Sequence, residues 1–78
     1  IYNYPERCGH RLSLETIAAV CDRVPVVGLK QSGGAIAYHR ELARLAAEKH
    51  FTLITGADTR IPEAWELGAR GVVSGIAN

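Results

Sequence analysis

Lys30 is the residue of this sequence best placed to do chemistry. It ends an apolar, partly β-branched run over residues 26–30, and Gly33 and Gly34 follow shortly after it. Such a run is typical of a buried strand in a parallel sheet, and α/β proteins build their sites at the carboxyl ends of these strands. Burial favours the neutral amine, whose lone pair can attack a carbonyl and form a Schiff base. The alternative is a lysine that pairs with a carboxylate or extends to the rim.

Tyrosines and arginines near the start of the chain could assist such an amine. Tyr2 and Tyr4 end another predicted strand and share a face, so either hydroxyl could carry protons, or either ring could simply pack. The sequence does not rank them. Arg7 could hold a substrate carboxylate with its planar guanidinium, or it could be a surface arginine. Arg11 and Arg60 are weaker candidates for the same role.

Other polar residues carry less specific signals. Ser32-Gly33-Gly34 before a helix could bind a phosphate on backbone N–H groups, but it matches neither common glycine-rich phosphate motif. The cysteines, Cys8 and Cys21, have no metal-ligand spacing, and we expect two reduced thiols and no metal site. We expect the three histidines to be solvated. No two carboxylates are placed for acid/base work, and four glutamates are expected on outer helix faces: Glu41, Glu48, Glu63 and Glu66.

The composition excludes several classes of protein. The chain has 78 residues, a formal net charge of +1 and 47% hydrophobic residues. Its basic residues form no stripe, which disfavours nucleic acid and anionic membranes as partners. No apolar run is long enough to span a bilayer, and no leader segment is recognisable. We expect a soluble, cytoplasmic protein. The chain begins with Ile rather than Met and ends on a predicted strand without its covering helix, so we expect a single partial domain over residues 1–78.

Strands and helices are predicted to alternate along the chain. After the strand at residues 2–4 and a loop at 6–12, a helix begins after Ser13 as N-cap. Strand 26–30, helix 35–49 and strand 51–55 follow. A short helix at 62–67 is predicted to be capped by Asp58 or Thr59, and a strand at 71–74 ends the pattern. Alternation of this kind predicts an α/β fold with a parallel sheet. It fits part of a (β/α)₈ barrel or a doubly wound open sheet.

Three segments carry a recognisable family pattern. They are YNYPERCG at residues 2–9, VGLKQSGG at 27–34 and GVVSGIAN at 71–78. In order and spacing they resemble the dihydrodipicolinate synthase/N-acetylneuraminate lyase family, whose members have Tyr-Asn-x-Pro-x-Arg-x-Gly after one strand and Gly-[Ile/Leu]-Lys after the next. The resemblance covers essentially the whole chain. It implies the C-terminal half of a (β/α)₈ TIM barrel, from the end of strand five through strand eight.

The resemblance also implies roles for individual residues. Lys30 is expected to form the Schiff base with the keto carbon of pyruvate, and Tyr2 to relay protons. Arg7 matches the arginine that helps hold the second substrate's carboxylate in the synthases. Gly56 and the backbone of Val73 match positions that line the pyruvate pocket. The threonine pair that binds the pyruvate carboxylate in the family would lie upstream.

The expected activity is a pyruvate-dependent lyase or aldolase. The synthase-like reaction condenses pyruvate with an aldehyde such as aspartate semialdehyde, and the alternative reaction cleaves a 2-oxo acid. No metal or other cofactor is expected, and family members suggest a homotetramer or dimer. Residues 31–34 read Gln-Ser-Gly-Gly, which is more like the aldolases of the family, whereas Arg7 favours the synthases. The alternative from another class is a non-catalytic phosphate-binding α/β domain.

Overall fold

Strands and α-helices follow one another along the chain, with two helices between the first and second strands and one between each later pair. The computed structural model describes residues 1–33 and 35–77. The strands are β1 (Tyr2–Asn3), β2 (Gly28–Gln31), β3 (Thr52–Thr55) and β4 (Gly71–Val72). The helices are α1 (Pro5–Cys8), α2 (Leu14–Arg23), α3 (Ile36–Lys49) and α4 (Ile61–Leu67), with 3₁₀ turns at Asp58–Arg60 and Gly75–Ala77.

The strands form one parallel sheet in the order β1-β2-β3-β4. This confirms the predicted α/β fold with parallel strands. The order along the sheet is the order along the chain, as in a stretch of a (β/α)₈ barrel. A doubly wound sheet instead reverses its order at a switch point, and these four strands show no such reversal.

Helices α2, α3 and α4 cover one face of the sheet. Leu29 and Leu53 point toward them and are fully buried, together with Leu42 of α3. Ile17 of α2 and Ala64 of α4 complete this core. Burial of these aliphatic side chains is the main force that holds helices and sheet together.

The opposite face carries the residues of interest and is open. Tyr2 is paired in register with Lys30, and Lys30 with Ile54, so their side chains share this face. Tyr2 is 55% exposed and Lys30 is half-buried, because no segment within residues 1–33 and 35–77 covers them. The sequence predicted a fully buried strand around Lys30, which is correct only for the helix-facing side.

Two helical features follow directly from capping chemistry. Ser13 caps α2 as predicted, since its Oγ accepts a hydrogen bond from the N–H of Thr16 at 3.1 Å. The loop predicted at 6–12 instead begins with the single helical turn α1. Pro5 is preset for a first helical position, and Gly9 ends the turn with φ of 83° while donating its N–H to the Pro5 carbonyl.

Two predictions at the carboxyl end of the chain are wrong in detail. Neither Asp58 nor Thr59 caps α4, whose N-cap is Arg60 without a side-chain hydrogen bond. The Asp58 carboxylate instead accepts a hydrogen bond from Ser74 Oγ at 2.6 Å. This bond connects the segment after β3 to the segment after β4, and β4 ends at Val72 rather than at Ser74.

Among the helices that the structure describes, none has the length and apolar character needed to cross a membrane.

Candidate active site

Lys30 lies beside Tyr2 on the open face of the sheet. The Lys30 Nζ atom is 4.2 Å from the centroid of the Tyr2 ring. This contact follows from the parallel register, which puts the two residues side by side on neighbouring strands. An ammonium group over an aromatic face is attracted by the negative face of the ring. The structure therefore brings together two residues that the sequence placed 28 positions apart.

Ser32 joins this pair from the loop after β2. Its Oγ atom donates a long hydrogen bond of 3.4 Å to the Tyr2 hydroxyl, and Ser32 itself is buried. The Ser32 N–H is fixed by the carbonyl of Asn3 at 3.0 Å. The pKa of Tyr2 is lowered, first by the Ser32 hydrogen bond and then by the Lys30 amine, because both favour the phenolate. The site therefore contains an amine and a phenol whose proton is held less tightly than usual.

Gly56 forms a wall of the same site. A Cβ atom added to Gly56 would lie 2.7 Å from Cε of Lys30 and closer still to Oγ of Ser32. The backbone therefore passes against both side chains at a distance that only glycine permits. The Gly56 N–H also donates to the carbonyl of Gln31 at 2.8 Å, which connects the end of β3 to the strand of Lys30.

Tyr4 and Arg7 lie on the same side of the site as Tyr2. The rings of Tyr2 and Tyr4 are 6.1 Å apart, and the Arg7 guanidinium lies 6.0 Å from the centroid of the Tyr4 ring. Arg7 is exposed on α1, so its guanidinium is available to a ligand. Of the two tyrosines, Tyr2 is the one that contacts Lys30 and Ser32.

The weaker arginine candidates have other partners. Arg11 stacks on Tyr38, with 4.6 Å from its guanidinium carbon to the ring centroid, and Arg60 forms an exposed ion pair of 3.6 Å with Glu63. Both contacts are on the helical side of the fold or at its surface.

Val73 follows β4 with its side chain 55% exposed. Its N–H donates to the carbonyl of Thr55 at 3.0 Å. Because this N–H is already used, Val73 can offer a ligand its carbonyl and its side chain only.

The loop after Lys30 has an acidic neighbour. A Cβ atom on Gly33 would lie 2.5 Å from Oε2 of Glu6, so the Glu6 carboxylate packs against this glycine. A phosphate bound on the Gly33 backbone would meet that negative charge, which weighs against the phosphate-binding interpretation. Gly34, the last residue of the predicted cradle, lies outside the described residues.

A buried polar network under the site was not predicted from the sequence. The Asn3 amide donates to Gln31 Oε1 at 2.7 Å and to the Tyr38 hydroxyl at 3.1 Å. The Tyr38 hydroxyl donates to the Leu12 carbonyl at 2.6 Å, and the Gln31 amide donates to the Ser32 carbonyl at 2.8 Å. Burial raises the pKa of Tyr38. The period-two pattern of Asn3 and Gln31, opposite to Tyr2 and Lys30, was the signal for it.

The prediction that all three histidines are solvated is wrong for His39. This residue is fully buried, with Nε2 3.4 Å from Thr55 Oγ1 and Nδ1 3.3 Å from the Ala35 carbonyl. Position 39 lies on the inner face of α3, one residue after the buried Tyr38 and three before Leu42. Helical periodicity could have placed it there.

Two grooves, of about 340 and 420 Å³, lie between α2 and α3 and share Leu14, Glu15 and Glu41. They are on the helical side, away from Lys30. Within the described residues, no three His, Cys, Asp or Glu side chains gather as a metal site would require. The cysteines are free: Cys8 is exposed and Cys21 half-buried.

Comparisons with known proteins all point to one family. A model of the dihydrodipicolinate synthetase family matches residues 1–78. The 4-hydroxy-tetrahydrodipicolinate synthase of Chlamydia abortus is 37% identical over 78 residues, which is 100% of this chain and 26% of that protein. The enzyme of the same name from Nostoc punctiforme is 38% identical over 74 residues, 95% of this chain and 25% of that protein. The one from Methanothrix thermoacetophila is 32% identical over 78 residues, again 100% and 26%. The chain spans about a quarter of the length of these curated relatives.

Proposed function

The chain belongs to the dihydrodipicolinate synthetase family, and on that premise we propose that it contributes Lys30 as the Schiff-base nucleophile of a pyruvate-dependent lyase. One observation carries the proposal. Lys30 Nζ lies 4.2 Å from the ring centroid of Tyr2, whose pKa is lowered. An amine and a proton-exchanging phenol in contact are what imine formation needs.

The proposed reaction begins at the keto carbon of pyruvate. The neutral Lys30 amine attacks this carbon, and the keto oxygen takes up a proton to give a carbinolamine. Loss of that oxygen as water leaves an iminium, which acts as an electron sink. A methyl proton can then leave to give an enamine, whose carbon attacks an aldehyde. Hydrolysis of the new imine releases the product and restores Lys30.

Tyr2 is the proposed proton carrier for the carbinolamine step. A hydroxyl leaves as water only after it is protonated, and the donor must recover a proton afterward. The pKa of Tyr2 is lowered by Ser32 and Lys30, which makes the loss of its proton to the carbinolamine easier.

The other predicted site residues have supporting positions in this proposal. Gly56 bounds the site beside Lys30 Cε, where its backbone packs against the lysine side chain. The exposed Arg7 guanidinium would bind the carboxylate of the second substrate. Val73 would face pyruvate with its carbonyl or side chain, since its N–H is bonded to Thr55.

The proposed full-length architecture is a (β/α)₈ barrel of which this chain forms the strands five to eight. The sequential parallel order and the helices on one face support a barrel. The open face around Tyr2 and Lys30 would then point into the barrel. The assembly that the family suggests is a homotetramer or dimer.

Cleavage of a 2-oxo acid is the second candidate within the same chemistry. It uses the same Lys30 imine in the reverse direction. The loop sequence Gln31-Ser32-Gly33-Gly34 favours it, because Ser-Gly-Gly after the lysine resembles the aldolases of the family.

Borohydride trapping tests the proposal in the full-length protein. We expect pyruvate plus borohydride to add a reduced pyruvyl group to Lys30, seen by mass spectrometry of the tryptic peptide. The Lys30→Arg variant keeps the charge and should give no adduct. A wild-type protein without an adduct on Lys30 would exclude the lyase function. Assays with aspartate semialdehyde and with 2-oxo acids then separate condensation from cleavage.

A further inference from the structure

Two hydrogen-bonded side chains lie beneath the turn that follows β3, on the helix-facing side of the sheet. His39 is in the first turns of α3 and Thr55 is the last residue of β3, and both are buried. His39 Nε2 is 3.4 Å from Thr55 Oγ1. The backbone N–H of Ala57 donates to the same Oγ1 at 3.2 Å.

The partners of His39 define its tautomer. Nδ1 is 3.3 Å from the carbonyl of Ala35, which can only accept a hydrogen bond, so Nδ1 carries the proton. In the neutral imidazole, Nε2 then has no proton and accepts from the Thr55 hydroxyl. The Thr55 oxygen in turn accepts from Ala57. A directed chain of hydrogen bonds therefore runs from the turn after β3 to the beginning of α3.

The turn that this chain holds is the wall of the lysine site. Gly56 lies between Thr55 and Ala57, and its Cα is packed so closely on Lys30 Cε that an added Cβ would come within 2.7 Å. Its N–H is bonded to Gln31, next to Lys30 in β2. A shift of this turn would therefore change where the Lys30 side chain can lie.

We infer that His39 is a positioning residue for Lys30, which acts through Thr55 and the Gly56 backbone. The inference rests on the proposed function of Lys30. His39 lies on the opposite side of the sheet from Lys30, so it does not contact a ligand bound there. Loss of its acceptor nitrogen would leave the buried Thr55 O–H without an acceptor, although the Thr55 oxygen would still accept from Ala57, and a buried donor in that state drives local rearrangement.

The His39→Phe variant tests this in the full-length protein. Phenylalanine has a similar shape but offers Thr55 no acceptor. Rapid-quench borohydride trapping at several pyruvate concentrations measures imine formation on Lys30. We expect the maximal rate to fall by about ten-fold or more, because small displacements of reacting groups cause rate losses of this size. The pyruvate concentration at half-maximal rate should stay unchanged, because nothing that binds the pyruvate carboxylate is altered.

Variants of Thr55 test the same positioning role independently, and one of them retains the hydroxyl and should therefore retain the rate. Thr55→Val keeps the shape but removes Oγ1, and it should slow trapping as His39→Phe does. Thr55→Ser keeps the hydroxyl and should retain most of the rate. The double variant His39→Phe/Thr55→Val should be no slower than either single variant, because both break one chain of bonds.

A stability control and a structural readout separate positioning from general damage. Leu45→Ala, on the buried face of the same helix, should lower stability while keeping both hydrogen bonds of Thr55 Oγ1. Its maximal trapping rate should stay within about two-fold of the wild-type rate, as expected for a residue distant from the reacting groups. Hydrogen exchange of the Ala57 amide should accelerate in His39→Phe and Thr55→Val but not in Leu45→Ala.

The outcomes are distinguishable. A wild-type protein that forms no adduct overturns the proposed function and this inference with it. A wild-type adduct together with unchanged trapping in both His39→Phe and Thr55→Val overturns the inference alone. If His39→Phe does not fold, the comparison of Thr55→Val with Thr55→Ser decides.

Discussion

Neighbouring backbone and side chains restrict the positions of the Lys30 amine and of the Tyr2 phenol that contacts it. Tyr2 is adjacent through strand register, Ser32 bonds the Tyr2 hydroxyl, and Gly56 bounds the lysine stem. Each contact brings together residues that are distant in the sequence. The pKa of Tyr2 and the position of the Lys30 side chain therefore depend on two small residues, Ser32 and Gly56.

Removal of the Ser32 hydroxyl should raise the pKa of Tyr2. The serine donates to the phenol oxygen and so stabilises the phenolate, and this hydrogen bond is the largest cause of the lowered pKa. In Ser32→Ala the phenolate should form only at higher pH. Tyrosinate difference absorbance, with Tyr2→Phe subtracted to isolate Tyr2, measures the shift. Ser32→Thr retains a hydroxyl and should titrate close to wild type; an unchanged titration in Ser32→Ala would contradict the assignment.

Gly56→Ala should impair imine formation more than folding. The new methyl group would collide with Lys30 Cε and Ser32 Oγ, which belong to side chains that can move aside. We expect the Lys30 adduct to form about 10- to 100-fold more slowly, because the amine is displaced. Gly28→Ala is the matched control, since its methyl would meet the Thr52 carbonyl at 3.3 Å rather than Lys30. Equal rates in the two variants would argue against Gly56 as a wall of the site.

At the scale of elements, α3 supports both strands that flank Lys30. Tyr38 bonds Asn3 of β1 and the Leu12 carbonyl, while His39 bonds Thr55 of β3. Two adjacent residues of one helix thus hold segments on either side of β2. Their neighbours along the helix, such as Leu42, form the apolar contact with the sheet. On its inner face, the first turns of α3 therefore make specific hydrogen bonds, and its later turns make apolar contacts.

Loss of the Ser13 cap should lower the free energy of unfolding. The Ser13 hydroxyl satisfies the N–H of Thr16, which has no partner within α2. For Ser13→Ala in the full-length protein we expect a loss of about 1 kcal/mol in denaturant titrations. Ser13→Asp keeps an acceptor and should lose little. An alanine variant as stable as wild type would mean that α2 does not depend on this cap.

At the scale of the molecule, the fold leaves both sheet edges and one sheet face open within the described residues. Val27 is 84% exposed, Ile76 is 74% exposed and Val73 is 55% exposed. β1 and β4 each pair with one neighbour only. Unpaired edges and apolar surface of this kind promote association with other chains.

The 78-residue chain by itself is therefore expected to be unfolded or aggregated. Its helix-facing core is small, and the open face exposes apolar groups to water. Thermal circular dichroism should show no cooperative transition, and sedimentation should show large species or an expanded monomer. The full-length protein, studied under the same conditions, should unfold cooperatively. A sharp transition of the 78-residue chain would refute this expectation.

The sequence by itself determined the order of elements, the parallel sheet, the Ser13 cap and the identity of Lys30 and Tyr2 as candidates. These features follow from local periodicity, from cap chemistry and from the spacing of the sequence motifs, all of which can be read from the sequence. Residue type and spacing alone did not rank Tyr2 against Tyr4; the family resemblance favoured Tyr2, and the strand register places Tyr2 beside Lys30. The sequence predicted a solvated His39, although helical periodicity could have placed this residue on the buried face of α3. Only the tertiary structure decided the contacts between residues distant in sequence, such as Gly56 with Lys30 and His39 with Thr55, because these depend on how the strands and α3 pack together.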